Sequence, residues 1–346
     1  MTADPPLVPP EAVADALEGM AWPVAVTGGT GFVGSHLVDT LCAAGIRPRV
    51  LVRDPAAPRW IADREVEWVP GSLHDPEALE RLVAGAGTVL HLAGVVRAPS
   101  AAAFERGNRL GTANVVAAVR GAAPGARLVH VSSQAALGPS PEIAGLGPEA
   151  EPHPVSAYGR SKLGAEREVQ ALGDELPWLI LRPPAIHGPR DTDVLQFFKL
   201  AASGTVPLPS GERWVTMAWV GDVVRAVLAA AGGRGEAGRT CHLGEPEPYR
   251  MQAMVRLLAE AGGVRARVLP LPGAVLTAAG LVGSGLHLLG LHRVPMTRDK
   301  ARELLARHWT LRTRDSLEAL GLHDWTEFFD GARVTWAWYR REGWLR

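Results

Sequence analysis

Tyr158 and Lys162 stand four residues apart in the run YGRSK. On a helix that spacing puts both side chains on one face. A free phenol has a pKa of about 10, too high for efficient proton exchange near neutrality. A neighbouring ammonium favours the phenolate and lowers that value. The pattern arises easily by chance between an ordinary exposed tyrosine and lysine, so its chemistry needs company. Upstream, RLVHVSSQAALG (127–138) reads as a strand that delivers Ser132 and Ser133 at its carboxyl end. A hydroxyl there can hydrogen-bond a carbonyl oxygen and hold it beside the phenol. The plainer use of such serines is to cap a helix or close a turn.

A second constellation lies near the start of the chain, TGGTGFVG from Thr27 to Gly34. Gly28 permits a tight turn off a strand, Gly31 lets a pyrophosphate approach the backbone, and Gly34 lets the following helix pack close. The free N–H groups and dipole of that helix favour phosphate. The pattern is weak alone and strong between a strand and a helix. The next strand ends Leu51-Val52-Arg53-Asp54. An acidic residue at this place would bond the ribose hydroxyls of NAD, whereas an arginine would pair with the 2′-phosphate of NADP. Arg53 comes first, so NADP is expected, with NAD retained as the alternative because Asp54 follows.

These residues need elements to position them, and the apolar patterning supplies them. Strands are expected at 24–27, 49–52, 66–69, 88–92, 127–132 and 178–181, with helices at 32–44, 111–119 and 158–172. Strands alternating with helices imply βαβ units and a parallel sheet covered on both faces. Ligands of such sheets bind beyond the carboxyl ends of the strands, which is where both constellations fall.

The runs TGGTGFVG, HLAG (91–94), NRLGT (108–112), VSSQAALGP, YGRSK and LRPPAIHGP (181–189) resemble the extended short-chain dehydrogenase/reductase superfamily, the NAD-dependent epimerase/dehydratase family. The resemblance is clear over about 24–230 and continues weakly through Cys241 to Gly244. It implies a Rossmann-type doubly wound α/β fold with a smaller, interleaved C-terminal α/β substrate domain. The expected division is an N-terminal arm at 1–22, a dinucleotide domain at 23–182 with return segments at about 217–244, and a substrate domain at 183–346. By resemblance, Ser133, Tyr158 and Lys162 form the catalytic set. The cofactor would be met by Thr27, Gly28, Thr30, Gly31, Phe32, Val33 and Gly34, by Arg53, by Ser72 and Leu73, and by Leu92, Ala93 and Gly94. Asn108, Ser132, Pro183 and Ile186 would complete its surroundings, and Tyr158 and Lys162 would touch it as well. Asn108 would also support the active-site geometry. Two departures stand out. Ser72 occupies a place where the family often has an aspartate for the adenine, and His187 replaces a tyrosine. His187 could meet substrate or simply pack.

Within the superfamily, dehydratases typically follow the hydroxyl residue with an Asp-Glu pair, and here Gln134-Ala135 follow Ser133. Epimerases usually end the second strand with an acid, against which Arg53 argues. The VRDP run and SSQAALGP look more like the dihydroflavonol-reductase and 3β-hydroxysteroid-dehydrogenase branches. The expected activity is hydride transfer between nicotinamide and a ketone or secondary alcohol of a hydrophobic substrate, with Tyr158 as general acid/base. A sugar-nucleotide epimerase is the alternative, and a non-catalytic dinucleotide sensor a third reading.

Composition bounds the rest. Lys plus Arg and Asp plus Glu number 36 each, so no basic surplus points to nucleic acid. Cys42 and Cys241 form no CxxC pair, so neither a metal site nor a disulfide framework is expected, and a reducing, cytoplasmic setting is. The N-terminus lacks the basic start and apolar run of a signal peptide, and a short helix is expected at 11–17. The uncharged run 273–291 approaches the length of a membrane span but is diluted by glycines. A buried or substrate-covering helix is expected there, with peripheral membrane contact as the alternative. Trp214, Trp219 and Phe198 could line an apolar pocket or serve as core. The aromatic and arginine-rich C-terminus suits a docked helix better than a membrane interface. The superfamily commonly dimerises through the helices expected at 111–119 and 158–172, so a homodimer is expected.

Overall fold

The computed structural model describes residues 6–288 and 296–345. Six strands rise in sequence: β1 (Val24–Thr27), β2 (Arg49–Val52), β3 (Glu67–Pro70), β4 (Thr88–His91), β5 (Arg127–Val131) and β6 (Trp178–Arg182). A smaller set follows: β7 (Ala185–His187), β8 (Thr205–Pro209), β9 (Trp214–Val215), β10 (Met217–Trp219), β11 (Arg239–His242), β12 (Tyr249–Arg250), β13 (Arg267–Leu271) and β14 (His308–Trp309).

The main sheet has seven parallel strands in the order β11-β6-β5-β4-β1-β2-β3. The chain reverses its direction of travel between β3 and β4, so the carboxyl ends of β1 and β4 flank a switch point. Every residue of β1, β4 and β6 is buried, which is why these strands read as continuous apolar runs. Side chains still alternate between faces. Val24 and Val26 pack with Leu37, Leu41 and Val227 on one face, while Ala25 packs with Leu79, Val115 and Val119 on the other.

The 217–244 segment returns to this sheet. Helix Val220–Ala231 is buried along nearly its whole length against the first face, and β11 becomes the edge strand beside β6. The described part of the N-terminal stretch, from residue 6, packs on this core. Val8, Val13, Ala16 and Met20 are buried in the same core, and Thr40 donates its hydroxyl hydrogen bond to the Val8 carbonyl at 3.0 Å. The expected helix at 11–17 is a 3₁₀ turn, Pro10–Val13, leading into helix Ala14–Glu18.

A separate apolar core serves the second part of the chain. Phe198 is fully buried between Trp336 and Tyr339, with ring centroids 5.3 and 5.0 Å away. The C-terminal helix Phe328–Arg341 packs against helix Met251–Ala261, and Trp336 donates to the Leu258 carbonyl at 2.8 Å. Phe198 and Trp219 are therefore core, and the C-terminal tryptophans Trp336 and Trp338 pack inward. For the run 273–291 the structure rules against the buried alternative alone. Its described part is helix Gly273–Leu288, whose outer side is exposed rather than buried; 289–291 lies outside the described residues. Among the described residues no helix is long and apolar enough to cross a membrane.

Candidate active site

Three loops leave the same edge of the sheet: the glycine turn after β1, Leu92 to Gly94 after β4, and Ser132-Ser133 after β5. Gly28 has φ +75°, and a Cβ there would fall 2.6 Å from the Ala93 backbone nitrogen. Only glycine lets these two loops cross so closely. A Cβ on Gly34 would meet the Gly28 carbonyl oxygen at 2.1 Å. Helix Phe32–Ala43 thus begins directly against the turn. Its N-cap is Gly31, so no side chain satisfies the first N–H groups and no acid lies in the first turn. Gly28, Thr30, Gly31, Phe32, Val33, Leu92 and Ala93 are half-exposed at the end of an otherwise buried sheet. That donor-rich, acid-free helix start fits a pyrophosphate.

Not every expected residue faces this cleft with its side chain. The Thr27 hydroxyl is buried, 2.6 Å from His91 Nδ1, and accepts from the Ala93 N–H at 3.2 Å. It ties β1 to the loop after β4. Arg53 is exposed at the carboxyl end of β2, and the Asp54 carboxylate accepts the Ala56 N–H at 3.0 Å. The Ser72 hydroxyl accepts the His74 N–H at 3.2 Å. Leu73 packs over Gly111, and its carbonyl accepts from Asn114 at 2.8 Å.

Tyr158 and Lys162 lie on helix Ala157–Gln170, started by the Ser156 hydroxyl accepting the Gly159 N–H at 3.2 Å. Tyr158 is half-buried, its ring 5.8 Å from that of Phe104, and it lies beside Ser133. Burial pushes its phenol up to about 12, the neighbouring Ser133 hydroxyl offsetting part of the rise. Without a cofactor, burial outweighs any lowering of the phenol by Lys162. The lysine amine, 5% exposed, instead donates to the Val131 carbonyl at 2.9 Å. Burial brings Lys162 down to about 8, against the raising effect of Glu166. Ser133 has two tasks: it caps the short helix Gln134–Leu137 by accepting the Ala135 N–H at 3.1 Å, and it meets the phenol.

Asn108 braces the loop after β4. It accepts the Val95 N–H at 2.8 Å, donates to the Val95 carbonyl at 3.0 Å, and donates to Ser161 Oγ at 2.8 Å. It sits in a single π-turn, Arg106–Leu110, a device frequent at functional sites. A Cβ on Gly94 would lie 3.0 Å from Asn108 Oδ1 and 3.9 Å from Lys162 Nζ, so these three residues meet. The Pro183 carbonyl accepts the Gln134 N–H at 2.8 Å, and Ile186 lies in β7, paired with β10. His187 is fully buried in that strand, 4.8 Å from the Phe328 ring and 5.5 Å from Trp219. It packs.

Sequence reasoning missed the support beneath the site. Glu166, one turn after Lys162 and fully buried, accepts Arg182 at 2.6 and 2.8 Å and the Ser132 hydroxyl at 2.5 Å. Ser132 therefore points away from the cleft. The signal was present as an acid one turn past the lysine and an arginine opening RPPAIHGP. Glu166→Ala would strand a buried guanidinium, and a loss of about 3–5 kcal/mol is expected in urea unfolding. Glu166→Gln, which keeps an acceptor, is expected to lose less. His91 and His130 stack at 5.0 Å beneath Lys162, and burial brings His91 down to about 3, so they pack there uncharged.

Comparison with known proteins identifies the family. Residues 24–244 match the NAD dependent epimerase/dehydratase family. The chain is 39% identical over 332 residues to a ceramide reductase of Caulobacter vibrioides, covering 93% of this chain and 96% of that protein. It is 32% identical to a 4-hydroxy-2-methyl-3-oxo-4-farnesyl-3,4-dihydroquinoline-1-oxide ketoreductase of Stigmatella aurantiaca, covering 86% and 90%. Its fold matches a dTDP-glucose 4,6-dehydratase from Streptomyces venezuelae solved with NAD, with a TM-score of 0.75 at 24% identity over 94% of this chain and 99% of the other. The chain is an NAD(P)-dependent oxidoreductase and belongs to the NAD-dependent epimerase/dehydratase family.

Proposed function

We propose that this enzyme reduces the carbonyl group of a hydrophobic ketone, with NADPH preferred over NADH. One observation carries the reading: Ser133, Tyr158 and Lys162 converge at the carboxyl edge of β5, next to the acid-free helix start after β1. Gly28 to Gly34 hold the pyrophosphate, Arg53 the 2′-phosphate, and Lys162, beside Gly94, the nicotinamide-side ribose. Bound NADPH supplies the hydride. Ser133 and Tyr158 hold the substrate oxygen by hydrogen bonds, and Tyr158 gives that oxygen its proton. A phenol near 12 keeps its proton at neutral pH and is ready to donate it, which suits reduction. Lys162, near 8, is largely protonated at pH 7, and its charge favours the phenolate left behind.

The names of the relatives support an apolar substrate, since one is a ceramide reductase and another a ketoreductase of a farnesyl-bearing compound. Net NADPH oxidation with long-chain ketones is the expected result. If no ketone drives it, the reading fails. Interconversion of a sugar nucleotide without net cofactor consumption would establish the epimerase alternative instead.

Arg53 gives a separate test. A charge-assisted hydrogen bond is worth about 1.5–3 kcal/mol, or roughly 10–150-fold. Arg53→Ala is expected to raise the KM for NADPH by that factor and leave NADH unchanged. Equal effects on both cofactors would remove Arg53 from 2′-phosphate recognition. The enzyme acts as a homodimer in the cytoplasm on this reading. Support comes from helices Gly111–Ala122 and Ala157–Gln170, packed side by side on one flank, and from the free thiols of Cys42 and Cys241.

A further inference from the structure

Helix Gly273–Leu288 carries no charged residue, yet Val275, Leu281, Val282 and Leu286 on it are 37–64% exposed. Soluble surfaces rarely leave such a contiguous apolar face open. Leu269, 50% exposed on β13, adds to it just before the helix. The inner side is firmly seated. A Cβ on Gly280 would lie 2.8 Å from Ala301 Cβ, and Ser284 Oγ accepts the Arg298 N–H at 2.8 Å, both on helix Arg298–Leu305. That second helix grips the start of the active-site helix, since Asp299 accepts the Ala157 N–H at 2.7 Å, one residue before Tyr158. The exposed apolar face is thus tied, through one intervening helix, to the segment that carries the phenol.

Basic residues are concentrated in the sequence on either side of the helix. From 265 to 307 the sequence holds seven basic residues and two acidic ones, in a chain that is neutral overall. Arg265, Arg267 and Arg298 are exposed. An uncharged apolar helix with a cationic surround matches the interface of a bilayer that contains anionic lipids.

We propose that Gly273–Leu288 docks on an anionic membrane surface and brings the active site to headgroup level, so that a membrane-dissolved ketone is taken from the bilayer. This rests on the ketone-reductase reading for its substrate, though docking itself does not. The test is flotation of the intact protein with vesicles of phosphatidylcholine alone or mixed with phosphatidylglycerol. Binding is expected to the mixed vesicles and to weaken as salt rises. Leu281→Asp with Val282→Asp, two exposed sites that leave the core untouched, is expected to lower the bound fraction at least about ten-fold. Arg265→Ala with Arg267→Ala is expected to lower it about five-fold per residue. Both variants should reduce a short, water-soluble ketone at the wild-type rate and lose activity on a long-chain ketone held in vesicles.

Wild-type protein that stays unbound to both vesicle types would overturn the proposal, as would an aspartate variant that floats like wild type. If light scattering shows the aspartate pair splitting a wild-type oligomer, the face belongs to a second copy and the proposal is also overturned. Should no variant, nor wild type, reduce the soluble ketone, the function reading fails while flotation still decides the docking.

Discussion

Tyr158→Phe is expected to lower kcat by about 10²–10⁴-fold, the usual worth of general acid–base help, while NADPH binding stays within a few-fold of wild type. The substitution removes one oxygen and keeps the ring. The contact with Phe104 at 5.8 Å survives, and so does the start of helix Ala157–Gln170, which depends on Ser156. Only the phenol's approach to Ser133 is lost, and Ser133 keeps its capping bond from the Ala135 N–H. Stability should therefore change little, and a large fall in turnover reads the proton and not the fold. Stopped-flow reduction and equilibrium fluorescence titration separate the two quantities. A variant that keeps near-normal turnover would remove Tyr158 from the chemistry. A variant that loses NADPH affinity in proportion to kcat would make the residue a cofactor contact instead.

The main sheet was legible because its strands are short apolar runs punctuated by glycine, and because burial on both faces removes the ambiguity of alternation. Most strand and helix limits fall within a residue or two of expectation, as β3 at Glu67–Pro70 against 66–69 shows. One helix that the sequence did signal was passed over. Pro76–Val83 follows Asp75, which accepts the Ala78 N–H at 3.1 Å, and the run Asp-Pro-Glu carries a cap, a first-turn proline and a first-turn acid. The second part was harder. Its strands are two to five residues long, and its pairings reach far along the chain, as β8 with β13 and β9 with both β12 and β14. Local patterning carries no information about such partners.

The site divides in the same way. Residue types and order marked Tyr158, Lys162 and Ser133, but not how deeply the phenol is desolvated, because desolvation depends on neighbours brought in from afar. Asp299 reaches the start of the active-site helix from 142 residues downstream, the Glu303 charge acts on the phenol from the same segment, and no motif announces them. Nor could the exposure of Gly273–Leu288 be read from its composition. An uncharged helix reads as buried until the fold shows its outer residues exposed.

Gly34→Ala sets two physical effects against each other. Alanine is the better helix former by about 1 kcal/mol, so propensity alone predicts a more stable protein. The close approach predicts the opposite, because the new Cβ would lie 2.1 Å from the Gly28 carbonyl oxygen and 2.8 Å from its carbon, both backbone atoms that cannot swing aside. Overpacking of this kind costs about 1–3 kcal/mol, and the shift falls on the turn proposed to hold the pyrophosphate. Sterics should win. The expected outcome is a lower urea midpoint together with NADPH affinity reduced by at least about ten-fold. Gly121→Ala is the matched control, since that glycine lies in helix Gly111–Ala122 with nothing within 4 Å of its would-be Cβ. There propensity acts alone, and a gain of about 0.5–1 kcal/mol with unchanged cofactor affinity is expected. If Gly34→Ala behaves like Gly121→Ala in both measurements, the helix does not need to sit against the turn, and the cofactor cradle must be located elsewhere on the sheet edge.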